Sequence, residues 1–232
     1  MDLPEFLSPP LEQEARDLGI ESVLFDPIDD DADQRAEDEA PLRAYALLDA
    51  SQSAEIPVCL EAFSDPAICL FDGRAKEDLE DVAPWLVELT RHCDAFDWFL
   101  ADGYGNNWGI TIHSRLPLNR LKTQLKKFIK VEDETGELYF FKYYRPEHLN
   151  TYLPVFDADQ LSRFMRGIEA VFAEDTDDPS RLIRHSQTKR GRYNEDAIDL
   201  MKRGEPLVIQ PPSDDDVAAI IAQADAADPF KP

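Results

Sequence analysis

The side chains that carry most protein chemistry are few in this chain, or poorly spaced. Its four histidines are His92, His113, His148 and His185. None sits in H-E-x-x-H or another metal-ligand spacing. His92 next to Cys93 suggests a base and a nucleophile, but neighbouring helical residues point about 100° apart, so the pair makes no dyad. Cys59, Cys69 and Cys93 form no C-x-x-C pair. Three scattered cysteines read as reduced, mostly buried thiols rather than a disulfide framework. The 48 Asp and Glu residues are too many for any two to stand out as an acid–base pair. The stretch DGYGNNWG is glycine-rich, yet it lacks the Lys-Ser/Thr of a phosphate loop and the dinucleotide-binding spacing, and reads as a turn. There is no G-x-S-x-G, and Trp85, Trp98 and Trp108 read as core. The expectation is a protein with no catalytic residue, no cofactor and no metal site.

Two features then stand out. From Arg115 to Lys130 the chain holds Arg115, Arg120, Lys122, Lys126, Lys127 and Lys130 with no acid between them. This is either the solvated face of an amphipathic helix or a docking face for an acidic partner. Arg115, Arg120, Lys122, Lys126 and Lys127, with Arg145, are the candidate partner-binding residues. A second basic run, Arg181 to Arg192, reads as a contact arm. The other feature is LYFFKYYRP, residues 138–146, with five aromatic rings in six positions. Read with a period of two, both faces are mainly aromatic, which predicts a central strand covered on both sides. A base-stacking platform would be accompanied by basic charge, and this chain is acidic.

Lys and Arg number 24, so the net charge is −24 and the pI is about 4.4. Such a field repels nucleic acid and anionic membrane surfaces and favours a basic partner. MDLPEFLSPP has neither the basic nor the apolar region of a secretory signal, and no apolar run approaches a membrane span. The expected location is the cytoplasm.

These residues must be positioned by a mixture of strands and helices. Residues 1–41 are acidic and Pro-rich, and DPIDDDADQRAEDEAP reads as a solvated loop. RAYALLDAS, AICLFDG, APWLVEL and WGITIHS read as buried strands, with HCDAFDWFLADG an amphipathic helix between the last two. In 116–130, Leu118, Leu121, Leu125 and Phe128 form one helical stripe. FIKVEDETGELYFFKYY reads as a hairpin turning at DETG. PEHLNTYL and DADQLSRFMRG read as helices, the latter capped by Asp157, and IEAVFAE returns to the sheet. The expected class is α/β, a mixed sheet with flanking helices over residues 42–173. Residues 174–232, with DTDDPS just after Glu174 as a linker, read as a small, mostly helical C-terminal lobe built on YNEDAIDLMKRG and SDDDVAAIIAQADA.

The ordered series YALLDAS, CLFDG, APWLVEL, WGITIHS, LNRLKTQLKKFIKV, ELYFFKYYRPEHLNTYLP and DADQLSRFMRGI resembles the type VI secretion adaptor family, the effector chaperones called Tap or TEC proteins. The resemblance covers roughly residues 43–172. It implies an α/β lobe with a more variable C-terminal lobe and no catalytic activity. It also implies a cytoplasmic protein that holds a type VI effector and hands it to the VgrG spike. The family's aromatic strand ends in a pattern like Phe-Arg-Tyr-Tyr-Asp-Pro-Arg. Here Lys142 stands for the first Arg, Arg145 for Asp and Glu147 for the last Arg. The two charge reversals suggest a mirrored pair, Arg145 with Glu147 or with another acid. The readings left open are an immunity-type protein that neutralises a toxin and a small α/β hydrolase. If the basic helix is the docking face, Lys122→Glu with Lys126→Glu should weaken partner capture in a pull-down while the fold survives.

Overall fold

A computed structural model describes residues 9–132 and 136–203. In chain order the elements are α1 (Pro9–Gln34), β1 (Arg43–Asp49), α2 (Glu55–Ala62), β2 (Ala67–Cys69), α3 (Arg74–Leu79) and β3 (Pro84–Leu89). Next come α4 (Asp94–Trp98, continued by a π-helical turn), β4 (Gly109–Ser114), α5 (Leu118–Leu125), β5 (Lys130–Glu132) and β6 (Leu138–Phe140). The last are α6 (Pro146–Tyr152), α7 (Ala158–Phe164), β7 (Ile168–Glu174), β8 (Arg181–Gln187), β9 (Tyr193–Asp199) and α8 (Leu200–Arg203). Seven strands form one sheet in the order β2-β3-β1-β4-β7-β8-β9, while β5 and β6 pair separately. Every pairing is antiparallel, where a mixed sheet was expected.

β1 lies at the centre of the fold. All its residues from Ala44 to Asp49 are buried, which requires cover on both faces of the sheet. The strands expected at RAYALLD, PWLVEL and GITIHS are present with their neighbours in register, Tyr45 opposite Glu88 on one side and Ile112 on the other. The stripe of α5 also behaves as its spacing requires: Leu121 and Leu125 are buried, and Leu118 and Phe128 pack against the core. Asp157 caps α7, accepting from the Asp159 and Gln160 amides at 2.9 and 2.8 Å, and Gln160 returns a bond to the Asp157 amide.

Three readings need correction. The acidic N-terminal run is helical as far as Gln34, and only residues 35–41 form the expected exposed loop. Ile20, Val23, Leu24 and Phe25 are buried, so α1 lies against the sheet. Its acids are gathered by two distant arginines. Arg91 takes Glu21 at 2.6 Å, Asp29 at 2.7 Å and Asp26 at 3.2 Å. Arg115 takes Asp31 at 2.7 Å. At Gly19 a Cβ would stand 2.3 Å from the Leu200 carbonyl, so glycine lets α1 pass close to α8.

The second correction concerns residues 181–199, which extend the sheet as the β8–β9 hairpin instead of forming helices and a contact arm. YNEDAID is rich in residues that helices accept, but pairing with β8 overrides that weak preference. Arg184 bridges Asp196 across the strands at 3.1 Å. Its outer strand has no buried residue and carries Glu195, Asp196 and Asp199, charges that suit an edge. Only Leu200–Arg203 of the expected helix is helical. SDDDVAAIIAQADA lies outside the described residues, as does most of DETG. The third correction is that LYFFKYYRP is not a central strand. Only Leu138–Phe140 is extended, in the two-stranded hairpin, and Tyr139 and Phe140 are about half exposed.

Two buried histidines tie the layers together. His113 Nε2 donates to the Leu24 carbonyl at 2.9 Å, joining β4 to α1. His185 bridges the Tyr193 hydroxyl at 2.7 Å and Asn150 Oδ1 at 2.9 Å, joining β8 to β9 and α6. Burial holds both imidazoles down at about 4. A histidine depressed in the native state stabilises the fold above its unfolded pKa, near 6.5. That contribution is lost as the pH falls from there to about 4. Each site accounts for about 3 kcal/mol of that loss. His113→Gln keeps a donor near Leu24 but cannot titrate. Its unfolding free energy should fall less steeply than wild type between pH 6.5 and 4, as read from urea denaturation. Parallel curves would remove His113 from the acid response.

Candidate partner-binding site

The aromatic stretch divides where a buried carboxylate pins it. Asp49, the last residue of β1, has no exposed surface. Its Oδ2 accepts from Arg145 Nε at 2.7 Å and Lys142 Nζ at 3.2 Å. Its Oδ1 accepts from the Ser51 hydroxyl at 2.7 Å and the Ser51 amide at 3.1 Å. The Ser51 hydroxyl in turn accepts from Lys142 at 2.8 Å and from Arg145 at 3.1 Å. Burial pushes the Asp49 carboxyl up, but the bonds from Ser51 and Arg145 and the charge of Lys142 outweigh it and hold the group below its usual range. Arg145 therefore pairs with an acid almost a hundred residues away, not with Glu147, whose carboxylate faces His148 at 3.4 Å.

Between these two cations Tyr143 and Tyr144 turn into the core, and the Tyr143 hydroxyl donates to the Leu125 carbonyl at 2.9 Å. Pro146 then opens α6 at its first turn. On the other side of Lys142 the rings face outward. Phe141 meets Tyr152 at 5.4 Å and Phe156 at 6.5 Å, while Phe128 and Phe156 rest on Phe164 at 5.2 and 6.0 Å. These rings floor an open groove of about 520 Å3 walled by the β5–β6 hairpin, α6 and α7. A smaller groove of about 310 Å3 adjoins it, sharing Lys130 and Phe140. Val131, Tyr139, Phe140 and Tyr152, all 42–55% exposed, put contiguous apolar surface at its mouth, the kind of patch that marks an interaction site.

The six candidate residues do not form one face. Lys122 and Lys126 both bind Asp72, the latter at 2.6 Å. These two bonds hold the Asp72 carboxyl down at about 2. Arg115 is enclosed by Asp31, Glu169 at 2.6 Å and the Ala40 carbonyl at 2.7 Å. Arg145 belongs to the Asp49 cluster. Arg120 is exposed. Lys127 alone of the six lines the groove. Charge reversal at 122 and 126 would therefore crowd three carboxylates at Asp72 as well as alter the surface, and Lys127 is the cleaner probe. Sequence reasoning missed Asp49, Phe141, Phe156 and Arg163. A hint of Asp49 lay in the apolar neighbours of YALLD, which leave its carboxylate no water.

Of the thiols, Cys93 is pushed up by burial, and its sulfur accepts from the Thr90 amide at 3.5 Å. His92 sits outside α4 with φ 60°.

Arg145→Asp would set a second carboxylate against Asp49 and should cost about 3 kcal/mol in urea unfolding. Adding Glu147→Arg should recover none of it, because Glu147 is not the partner. Recovery in the double variant would show that the pair is local after all.

The model of one family, Domain of unknown function (DUF4123), matches residues 44–163, just over half of the chain. The match takes in Asp49, Lys142, Arg145 and every residue lining the larger groove, and stops before β7. No curated protein and no solved structure matches the chain. The chain thus belongs to the DUF4123 family, which is associated with type VI secretion effector adaptors.

Proposed function

We propose that this protein is a non-catalytic adaptor that binds a type VI secretion effector in the cytoplasm and loads it onto the VgrG spike. The observation that carries the reading is the family match across residues 44–163. The chemistry of the matched region supports it. The large groove is floored by rings and bordered by cations, a surface suited to gripping another chain rather than activating a water or a nucleophile. The candidate nucleophile Cys93 is a buried thiol with a raised pKa, and His113 is tied up inside the fold. Among the described residues no helix is long and apolar enough to cross a membrane. A pull-down of the tagged full chain from its own host, read by mass spectrometry, should recover a VgrG spike with one large multidomain protein. Capture of a small toxin domain without the spike would replace this reading with the immunity one. Capture of neither would overturn the adaptor reading.

A further inference from the structure

We propose that the groove between the β5–β6 hairpin, α6 and α7 is the effector-binding site, and that its occupant is a peptide segment with apolar or aromatic side chains flanked by carboxylates. The proposal rests on the adaptor reading for the source of the segment. Its chemistry comes from the groove.

The groove is apolar at its floor, with Phe128, Phe141 and Phe156, and carries Lys127, Lys130 and Arg163 around it. None of the described residues that line it is an acid. In a chain with 48 acids and 24 Lys and Arg, that is a departure from the whole. Many cations elsewhere on the surface are taken, although some, such as Arg120 and Arg166, are exposed and enter no ion pair among the described residues. Arg91 holds three acids, Arg115 is bridged to Asp31 and Glu169, and Lys122 and Lys126 share Asp72. Lys127, Lys130 and Arg163 enter no ion pair among the described residues. Lys127 bonds the neutral Gln124 at 3.0 Å, and Lys130 lies 5.4 Å over the Phe140 ring. Three cations beside an apolar floor are matched by carboxylates on either side of an apolar segment, which places rings on rings and charge on charge. A second copy of this chain is disfavoured, because two bodies of net charge −24 repel on approach. A short acidic segment meets far less of that repulsion.

The test uses the full chain and fluorescein-labelled peptides whose alternating Phe and Leu are flanked by aspartates, by lysines, or by aspartates around a serine core. Fluorescence anisotropy should show the aspartate–Phe/Leu peptide binding at least about tenfold more tightly than either control, and more weakly as salt rises. In the variant Lys127→Glu, Lys130→Glu, Arg163→Glu the preference should invert toward the lysine-flanked peptide. Inversion is a result that mere loss of structure does not produce, and an unchanged urea midpoint confirms the fold. Equal binding of all three peptides, or no inversion in the variant, overturns the proposal. So does a wild-type dimer in sedimentation that the variant abolishes, since the groove would then hold a second copy. The host pull-down separates the two readings. If wild type and variant capture the same effector equally, the groove fails and the adaptor stands. If neither captures spike or effector while the peptides behave as expected, the adaptor reading fails and the groove keeps its chemistry.

Discussion

A carboxylate with no exposed surface at the end of the central strand organises this molecule. Burying the Asp49 charge costs several kcal/mol unless donors surround it. Here Ser51, Lys142 and Arg145 supply them. Because Lys142 and Arg145 must both reach one point, the chain between them cannot run straight. It bends, Tyr143 and Tyr144 enter the core, and the strand ends at Phe140. The rings before the bend are left facing outward, where they make the groove. One electrostatic requirement thus decides which aromatics stabilise the fold and which remain available to a partner.

A second constraint is the excess of acid. A chain of net charge −24 stores self-repulsion in its compact state. The fold relieves part of it by assigning several carboxylates to each of a few arginines, as Arg91 does with Glu21, Asp26 and Asp29. The same pairings turn an acidic N-terminal run into a helix laid on the sheet. Long-range pairing also accounts for the basic stretch at 115–130. Arg115, Lys122 and Lys126 look unopposed only along the chain, since Asp31, Asp72 and Glu169 come to them from elsewhere. Among the described cations that enter no ion pair, Lys127, Lys130 and Arg163 gather at the groove.

Much of the fold was legible in local pattern. The apolar runs at 44–49, 84–89 and 109–114 are the three central strands, and the stripe from Leu118 to Phe128 packs as its period requires. The Asp157 cap is present with its full pair of reciprocal bonds. These features depend on periodicity and on hydrogen bonds within a few residues, and both are carried by the sequence itself.

The remaining features depended on partners far along the chain. Nothing near Tyr193–Asp199 marks it as a strand, because its hydrogen bonds are made with Arg181–Gln187 across a turn. Nothing near Arg145 names Asp49, and Glu147 is the nearer acid. Alternation in LYFFKYYRP predicted two covered faces, yet the bend at Lys142 sends the later rings inward and leaves the earlier ones exposed. By itself the sequence determined the central strands, the amphipathic helices, the net charge and the family, since each is a property of local order or composition. Tertiary structure alone decided which charges are spent on each other and which rings stay open. Those outcomes depend on distances between residues that only folding brings together.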